Sequence, residues 1–334
     1  MLMVIFGAGA SYDSISTYEP KDSDYGGGRP PLAKHLFLDN GTFRRTLAKF
    51  ARCHPIIPYL EAAGDENSLE EVLGQLDAEA QTDTERKRQL LSVRFYLRSI
   101  IEVCESQWCL GAGGISNYKT LLDQTRRFGS ALLVTFNYDT LLERALSALF
   151  FRKFDRMSDY IDPSGFSVLK LHGSTDWVQI VTGAHANGQS PSDDEIIESA
   201  ASLEVHTVIH RSEQGKSSGN PIGQQVIPAL AIPIAQKREF MCPDSHLTYL
   251  QSALPNVTKI IIIGWRASEA HFTQMLRENL SSSVEVIAVC GSASEGEKSL
   301  QRLKDAGVSG SFTPLPVGFT GFIKKRLCES FIAH

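Results

Sequence analysis

Four short segments of this chain each join an apolar run to glycine or to polar side chains, and they hold its best candidates for chemistry. The first, residues 7–11, reads Gly-Ala-Gly-Ala-Ser directly after the apolar run 1–6. Gly7 and Gly9 lack the Cβ atoms that would keep a backbone away from an anion. Ser11 can cap the next segment or donate to a phosphate oxygen. The segment therefore predicts a phosphate site, with a tight structural turn as the alternative, since the third glycine of the dinucleotide fingerprint is missing.

The second segment, residues 135–139, reads Thr-Phe-Asn-Tyr-Asp and lies between an apolar run and a predicted helix. Asn137 and Asp139 place an amide and a carboxylate where they can orient hydroxyl groups or water. The structural alternative is that one of them is the N-cap of the helix. A single cap explains only one residue, so the other side chain remains a candidate for the site.

The third segment, residues 169–177, holds His172 at the end of another apolar run and directly before Gly173 and Ser174. Among side chains, imidazole has the unperturbed pKa closest to neutrality, which suits it to act as a general base. A lone histidine is also often a hydrogen-bonded structural residue, and that alternative stays open. The glycine after it favours a ring that faces an open cleft.

The fourth segment, residues 263–271, again leads from an apolar run through Gly264 into a predicted helix. Arg266 would supply a counter-charge beside a phosphate group. Ser268 is expected to be the N-cap of the helix, and Glu269 follows it.

These segments need a scaffold that brings the ends of the apolar runs together. The runs are short, rich in β-branched residues and apolar on both faces, which predicts parallel strands covered by helices on each side. They span residues 4–6, 131–136, 167–171, 226–234, 258–263 and 284–289, and helical patterns span 138–150, 245–253, 268–280 and 294–306. This alternation predicts an α/β fold with a Rossmann-like doubly wound parallel sheet, whose carboxyl edge holds the ligand.

Two insertions interrupt the alternation. Residues 32–118 carry helical patterns and predict an inserted, mostly helical small subdomain. Residues 181–225 are rich in Ser, Gly, Asn and Asp, and they predict a polar loop or lid with a short strand at 205–209. One catalytic domain, residues 1–334, accounts for the remaining signals, so we expect any control to come from self-assembly or from a separate partner.

The bulk composition limits the class of partner. The net charge of −5, with 42% hydrophobic and 21% charged residues, gives no general attraction to nucleic acid or to anionic membranes. None of the six cysteines forms a Cys-x-x-Cys pair and the histidines lack ligand spacing, so we expect no metal and a reducing cytoplasm. The longest apolar run is far shorter than a membrane span.

Five segments, in this order along the chain, resemble the sirtuin superfamily, and within it the divergent sirtuin-like NAD hydrolases of bacterial antiphage defence. The matching segments are residues 7–11, 136–139, 171–174, 228–237 and 263–269. The resemblance implies a Rossmann-like NAD-binding domain with a smaller, mostly helical subdomain. The four-cysteine zinc module of the family's protein deacylases is missing from this sequence, which favours the NAD-hydrolysing branch. Arg266 stands where the family usually has a serine, so that loop would contact phosphate through either a hydroxyl or a guanidinium group.

The resemblance also implies roles for individual residues. Asn137 and Asp139 would line the nicotinamide and ribose pocket, and His172 would be the catalytic histidine. The cofactor-binding residues would be Gly7, Ala8, Gly9, Ala10, Ser11, Gly173, Ser174, Gly264, Arg266 and Glu269.

The function predicted on this basis is hydrolysis of NAD+ at the nicotinamide–ribose bond, with NAD+ as the substrate, by a NAD-depleting effector of antiphage defence. One alternative is an NAD-dependent protein deacylase or ADP-ribosyltransferase. The other is a sensor that binds NAD or ADP-ribose without turnover. We expect a homo-oligomer, and the family offers a separately encoded ATPase as one regulatory partner.

Overall fold

A central parallel sheet organises the chain in the computed structural model, which describes residues 1–15, 29–37, 41–63, 66–112, 116–184, 191–212, 225–234 and 240–333. The strands of the described residues are β1 Leu2–Phe6, β2 Ala131–Thr135, β3 Phe166–Lys170, β4 Gly173–Thr182, β5 Glu204–Arg211, β6 Gln225–Leu230, β7 Lys259–Ile263, β8 Val284–Val289 and β9 Gly310–Leu315. Their β-branched and apolar composition suits strands that are covered on both faces.

The central sheet has the order β3-β2-β1-β7-β8-β9, and every neighbouring pair in it is parallel. Counted within this sheet alone, that order is 3-2-1-4-5-6, the order of dinucleotide-binding Rossmann folds. The chain changes direction across the sheet between β1 and β7, and in open α/β sheets such a point has a crevice at the carboxyl ends of the strands. The predicted α/β fold with a doubly wound parallel sheet is therefore confirmed.

The helices of the described residues fill the connections between these strands. They are α1 Ala8–Tyr12, α2 Gly41–Leu47, α3 Ile57–Ala62, α4 Glu66–Glu79, α5 Thr84–Ala112, α6 Asn117–Thr125, α7 Leu141–Phe150, α8 Asp193–Glu198, α9 Asp244–Ala253, α10 Ala270–Asn279, α11 Ala293–Asp305, α12 Gly318–Lys324 and α13 Leu327–Ala333. Short 3-10 helices lie at Ala33–His35, Ala51–Ile56, Arg126–Phe128, Met157–Tyr160 and Leu254–Asn256. The four helices predicted between strands correspond to α7, α9, α10 and α11, so those predictions are confirmed.

A second, antiparallel sheet has the order β5-β4-β6. The prediction that the run 226–234 is a parallel strand was wrong, because its first part is β6 of this smaller sheet. The whole of β4 was missed as a strand, because its first four residues, Gly-Ser-Thr-Asp, are small or polar and carry no strand pattern. An apolar run indicates burial on both faces, and burial alone does not distinguish parallel from antiparallel pairing.

The apolar side chains form two cores. The larger one surrounds the parallel sheet and includes α6 and α7. The smaller one joins helices α2–α5 and α8 to the antiparallel sheet, and it includes Tyr96 and Ile100 of α5 and Leu230 of β6. Residues from both predicted insertions thus contribute to one core.

The insertion at 181–225 is packed in its described part. Strand β5 covers the predicted strand at 205–209, and Ile196 and Ile197 of α8 are buried in the smaller core. Residues 185–190 and 213–224, which the lid prediction also includes, lie outside the described residues.

Candidate active site

A cavity of about 1020 Å³ lies at the carboxyl edge of the parallel sheet. That volume is at the upper end of the roughly 300–1,000 Å³ of small-molecule sites. The segments that follow β1, β2, β3 and β7 all contribute to its wall, and the smaller core closes it from the other side. Among the lining residues are Gly7, Ala8, Gly9, Ser11, Asn137, Asp139, His172, Gly264, Arg266 and Glu269. Ten of the predicted site residues therefore share one cavity.

The loop after β7 approaches the turn after β1 so closely that Gly7 and Gly9 have no room for a side chain. The Gly7 amide donates to the Ile263 carbonyl at 3.0 Å, and the Gly9 amide donates to the Gly264 carbonyl at 3.2 Å. A Cβ on Gly7 would lie 2.4 Å from the Gly264 oxygen, which no ordinary packing tolerates. The sequence pattern predicts either a phosphate site or a tight structural turn at these glycines. The structure gives close contact between two backbone turns as a sufficient reason for them.

Asn137 is hydrogen-bonded to the glycine turn, residues 7–11, and does not cap α7. Its Nδ2 lies 2.9 Å from the carbonyl oxygen of Gly7, 3.0 Å from Ser11 Oγ and 3.2 Å from the hydroxyl oxygen of Tyr118. The side chain is 7% exposed and lines the cavity. The capping explanation is thus excluded for this residue.

Asp139 serves both the helix and the glycine turn. Its Oδ1 accepts the Leu141 amide of α7 at 3.1 Å, and its Oδ2 accepts the Ser11 hydroxyl at 2.7 Å. One oxygen of Asp139 therefore accepts an amide of the helix, as the capping alternative predicts, although Thr140 occupies the N-cap position. Burial raises the pKa of Asp139, and the nearby carboxylate of Glu105 raises it further, while Lys170 opposes the rise.

Buried charged side chains hold the backbone around Asp139. No motif in the sequence assigns them to the site. The ammonium group of Lys170 is fully buried, donates to the Asp139 carbonyl and pairs with Glu143 Oε1 at 2.9 Å. Glu105 of α5 accepts the Thr140 amide at 2.9 Å. A lysine within an apolar strand and a glutamate within a helix gave no local signal, because their partners are distant in sequence.

His172 lies between two aromatic rings at the end of β3. Its ring centroid is 4.9 Å from that of Phe136, edge to face, and 6.3 Å from that of Tyr138. The residue is 6% exposed and lines the cavity. Its backbone carbonyl accepts the Ala231 amide at 3.0 Å, which ties the end of β3 to the smaller sheet. The structure thus places the imidazole at the cavity wall beside the Asn137 segment.

Three predicted cofactor-binding residues lie off the cavity. Ala10 and Ser174 are fully buried, and the Ser174 hydroxyl is 3.3 Å from the Tyr138 carbonyl, to which it donates. Gly173 has a φ of +84°, and a Cβ there would lie 1.9 Å from the Ala229 oxygen of β6. Packing accounts for these three residue types, and their contact with a cofactor stays a prediction.

The loop after β7 turns its charged residues towards neighbouring segments of the wall. The Arg266 guanidinium pairs with Glu70 of α4 at 3.0 Å. The Glu269 carboxylate accepts the indole N–H of Trp265 at 2.6 Å and the hydroxyl of Ser268 at 3.2 Å. The expectation that Ser268 caps α10 was wrong, because Glu269 occupies the N-cap position.

The described residues also bear on two other classes of site, a metal centre and a membrane span. No three His, Cys, Asp or Glu side chains there come together as a set of metal ligands. No helix in the same residues has the length and apolar character needed to cross a membrane.

The chain is similar to several solved structures of Sir2 homologues. A Sir2 homologue–NAD complex has 14% identity and a TM-score of 0.40, covering 100% of this chain and 88% of that one. A Sir2 homologue mutant in complex with ADP-ribose has 13% identity and a TM-score of 0.40, covering 100% and 90%. Sir2Tm bound to a propionylated peptide has 11% identity and a TM-score of 0.41, covering 99% and 94%. No protein-family model and no curated protein matches the chain. Family membership does not follow from similarity at this level.

Proposed function

We propose that the protein hydrolyses NAD+ at the bond between nicotinamide and ribose. The observation that carries the proposal is the meeting of Asn137, Asp139 and His172 in one large cavity, at the direction change of a 3-2-1-4-5-6 parallel sheet. Ligands of open α/β sheets bind at that point. The resemblance of the five sequence segments to sirtuin-like NAD hydrolases supports NAD+ as the ligand.

The proposed reaction adds water across the N-glycosidic bond. The bond between C1′ of the ribose and the nicotinamide nitrogen breaks, and the electron pair leaves with nicotinamide. The water oxygen bonds to C1′ and its proton goes to the imidazole of His172, so the products are nicotinamide, ADP-ribose and one proton. A general base of this kind contributes about 10²–10⁴-fold to a rate.

Asn137 and Asp139 would orient the substrate in this scheme. The Asn137 side chain would bind the ribose hydroxyls or the attacking water, and the Asp139 carboxylate would accept the N–H groups of the nicotinamide carboxamide. Both are held by hydrogen bonds to the glycine turn, so little side-chain freedom is lost when substrate binds. The cleavage has an oxocarbenium-like transition state, and the fixed oxygens of these two side chains would stabilise its positive charge.

Arg266 is the proposed partner of the pyrophosphate group. Its guanidinium lies in the cavity wall, where it can form charge-assisted hydrogen bonds with phosphate oxygens after leaving Glu70. The turn residues Gly7 to Gly9 would lie beside the same group, with two of their amides already bonded to the loop after β7.

The first test is release of nicotinamide from NAD+ by the purified protein. We expect His172→Ala and Asn137→Ala to lower the rate at least about 100-fold while the protein remains folded, because each removes a group that acts at the reacting carbon. His210→Ala is the matched control, since His210 is exposed on β5 and should keep full activity. Circular dichroism and a thermal melt check the folding of each variant.

The same assay separates the alternatives. Nicotinamide release that requires an acetylated peptide would indicate a deacylase. Binding without release would indicate a sensor, and either result would contradict the proposal, as would substantial activity in either substituted protein.

The role in antiphage defence is a further part of the proposal, and it rests on the sequence resemblance. A protein of this kind would deplete cellular NAD+ during infection, under the control of self-assembly or of a partner such as an ATPase. We then expect the His172→Ala protein to leave NAD+ levels unchanged in infected cells.

A further inference from the structure

Tyr118 lies outside every motif of the sequence, yet its hydroxyl contacts two side chains of the candidate site, Ser11 and Asn137. It belongs to α6 and is 1% exposed. Its hydroxyl oxygen is 2.9 Å from Ser11 Oγ and 3.2 Å from Asn137 Nδ2. Its ring packs against Phe6 and Phe319, at centroid distances of 5.2 and 5.6 Å. The apolar contacts therefore fix where the hydroxyl lies.

The hydrogen-bond partners determine which way the Asn137 amide is turned. The carbonyl oxygen of Gly7 only accepts hydrogen bonds, so the atom 2.9 Å from it must be the donating Nδ2. Ser11 Oγ at 3.0 Å and the Tyr118 hydroxyl oxygen at 3.2 Å are the acceptors for the second hydrogen of Nδ2. The remaining polar atom of the side chain, Oδ1, is then the one available to a ligand.

The partners of the two hydroxyl groups also determine which of them donates. The Ser11 hydroxyl donates its hydrogen to Asp139 Oδ2 at 2.7 Å, so its oxygen is available to accept from Tyr118. The resulting chain runs from the Tyr118 hydroxyl through Ser11 to the Asp139 carboxylate. One tyrosine hydroxyl is thus connected to both of the polar side chains assigned to the substrate.

We propose that Tyr118 is a positioning residue that holds the Asn137 amide with its oxygen towards the ligand and holds Ser11 against Asp139. The inference rests on the proposed function for its kinetic consequence, but not for its geometry. An oxygen in that position accepts a hydrogen bond from a ribose hydroxyl or from water. A turned amide would present a donor instead and would not bind a hydroxyl hydrogen.

The kinetic test compares Tyr118→Phe with wild type in nicotinamide release. Phenylalanine keeps the ring and removes only the hydroxyl, so the fold should remain. We expect kcat to fall about tenfold with KM within about twofold, because the hydroxyl orients groups that act in the transition state. Tyr249→Phe is the matched control. The Tyr249 hydroxyl accepts a hydrogen bond from Ser167 at 3.1 Å and does not line the cavity, so its removal should change neither kcat nor KM. An unchanged kcat in Tyr118→Phe would overturn the inference.

A double variant tests whether Tyr118 acts through Asn137. In the Asn137→Ala background the added Tyr118→Phe change should lower kcat less than it does in wild type, because coupled residues are not additive. A full additional tenfold loss would show that the tyrosine acts independently of Asn137.

The position of the amide can be measured without any enzyme activity. In protein labelled with ¹⁵N-asparagine, the side-chain NH₂ signal of Asn137 is identified by its loss in Asn137→Ala. Tyr118→Phe should shift that signal and speed its hydrogen exchange. An unmoved signal would overturn the inference even if wild type releases nicotinamide, whereas a shifted signal in a protein that releases none would reject only the proposed function.

Discussion

Gly264 is in contact with the turn after β1 through its backbone. Its φ is +60°, and a Cβ there would lie 2.5 Å from the Gly9 backbone and 2.5 Å from the Ala10 amide nitrogen. Both the backbone conformation and the available space therefore require glycine. Three glycines (Gly7, Gly9 and Gly264) thus allow the turns after β1 and β7 to lie side by side at the cavity.

We expect Gly264→Ala to destabilise the protein by at least about 1–3 kcal/mol, the range for overpacked sites, because the added methyl group must displace backbone atoms. Gly74→Ala is the matched control, since Gly74 lies within α4 with no atom within 4 Å of its added Cβ. That change should stabilise by roughly 0.5–1 kcal/mol, because alanine is the better helix former. Urea unfolding measures both, and equal effects of the two changes would contradict the packing argument.

An ion pair joins helix α4 to the loop after β7 at the cavity wall. Glu70 and Arg266 are 3.0 Å apart, with side chains 16% and 34% exposed. The pair joins an element of the smaller core to a loop of the larger one. A ligand with a phosphate group would compete with Glu70 for the guanidinium group.

We expect Glu70→Gln to increase the affinity for ADP-ribose by up to about fivefold, since partly exposed ion pairs contribute about 0.2–1 kcal/mol. Glu79→Gln is the control on the same helix, because Glu79 pairs with Arg86 at 2.6 Å and does not line the cavity. Calorimetric titration measures both variants. Weaker binding by Glu70→Gln would show that the carboxylate helps to hold the ligand.

Each of the two cores has a buried histidine beside it. His35 lies next to Leu36 and Phe37 of the smaller core, and His246 contacts Tyr160 and Trp177 of the larger one. Burial lowers the pKa of His35 from 6.5 to about 4, with a smaller effect from the charge of Lys34. Burial also lowers the pKa of His246.

We expect the free energy of unfolding to depend on pH through His35. Between about pH 6.5 and pH 4 the unfolded chain binds a proton that folded His35 does not bind, so this contribution decreases stability as the pH falls. From pH 7.5 to pH 5 wild type should lose on the order of 1–2 kcal/mol more than His35→Phe, which keeps a ring against Tyr12.

Urea unfolding at the two pH values measures the difference between the proteins. The comparison cancels the contribution of the buried carboxyl groups, which are common to both proteins. Parallel loss of stability in the two proteins would contradict the assignment to His35.

The sequence by itself determined the strands of the parallel sheet other than β9, and the helices α7, α9, α10 and α11. It also determined the glycine and polar segments that follow the carboxyl ends of β1, β2, β3 and β7. These follow from local patterns, because burial on both faces selects apolar β-branched runs, and turns between elements select glycine and polar residues. The predicted placement of Asn137, Asp139 and His172 in one cavity also follows from the rule that parallel strands end at one edge.

Only the tertiary structure decided what those residues contact. It showed that Gly7 and Gly9 serve the close approach of Gly264, that Ser174 faces a backbone carbonyl, and that β6 belongs to a second sheet. It also brought Tyr118, Glu105 and Lys170 to the site. The physical reason is that a hydrogen bond between residues more than a hundred positions apart, such as that of Tyr118 with Ser11, leaves no periodicity or spacing in the sequence.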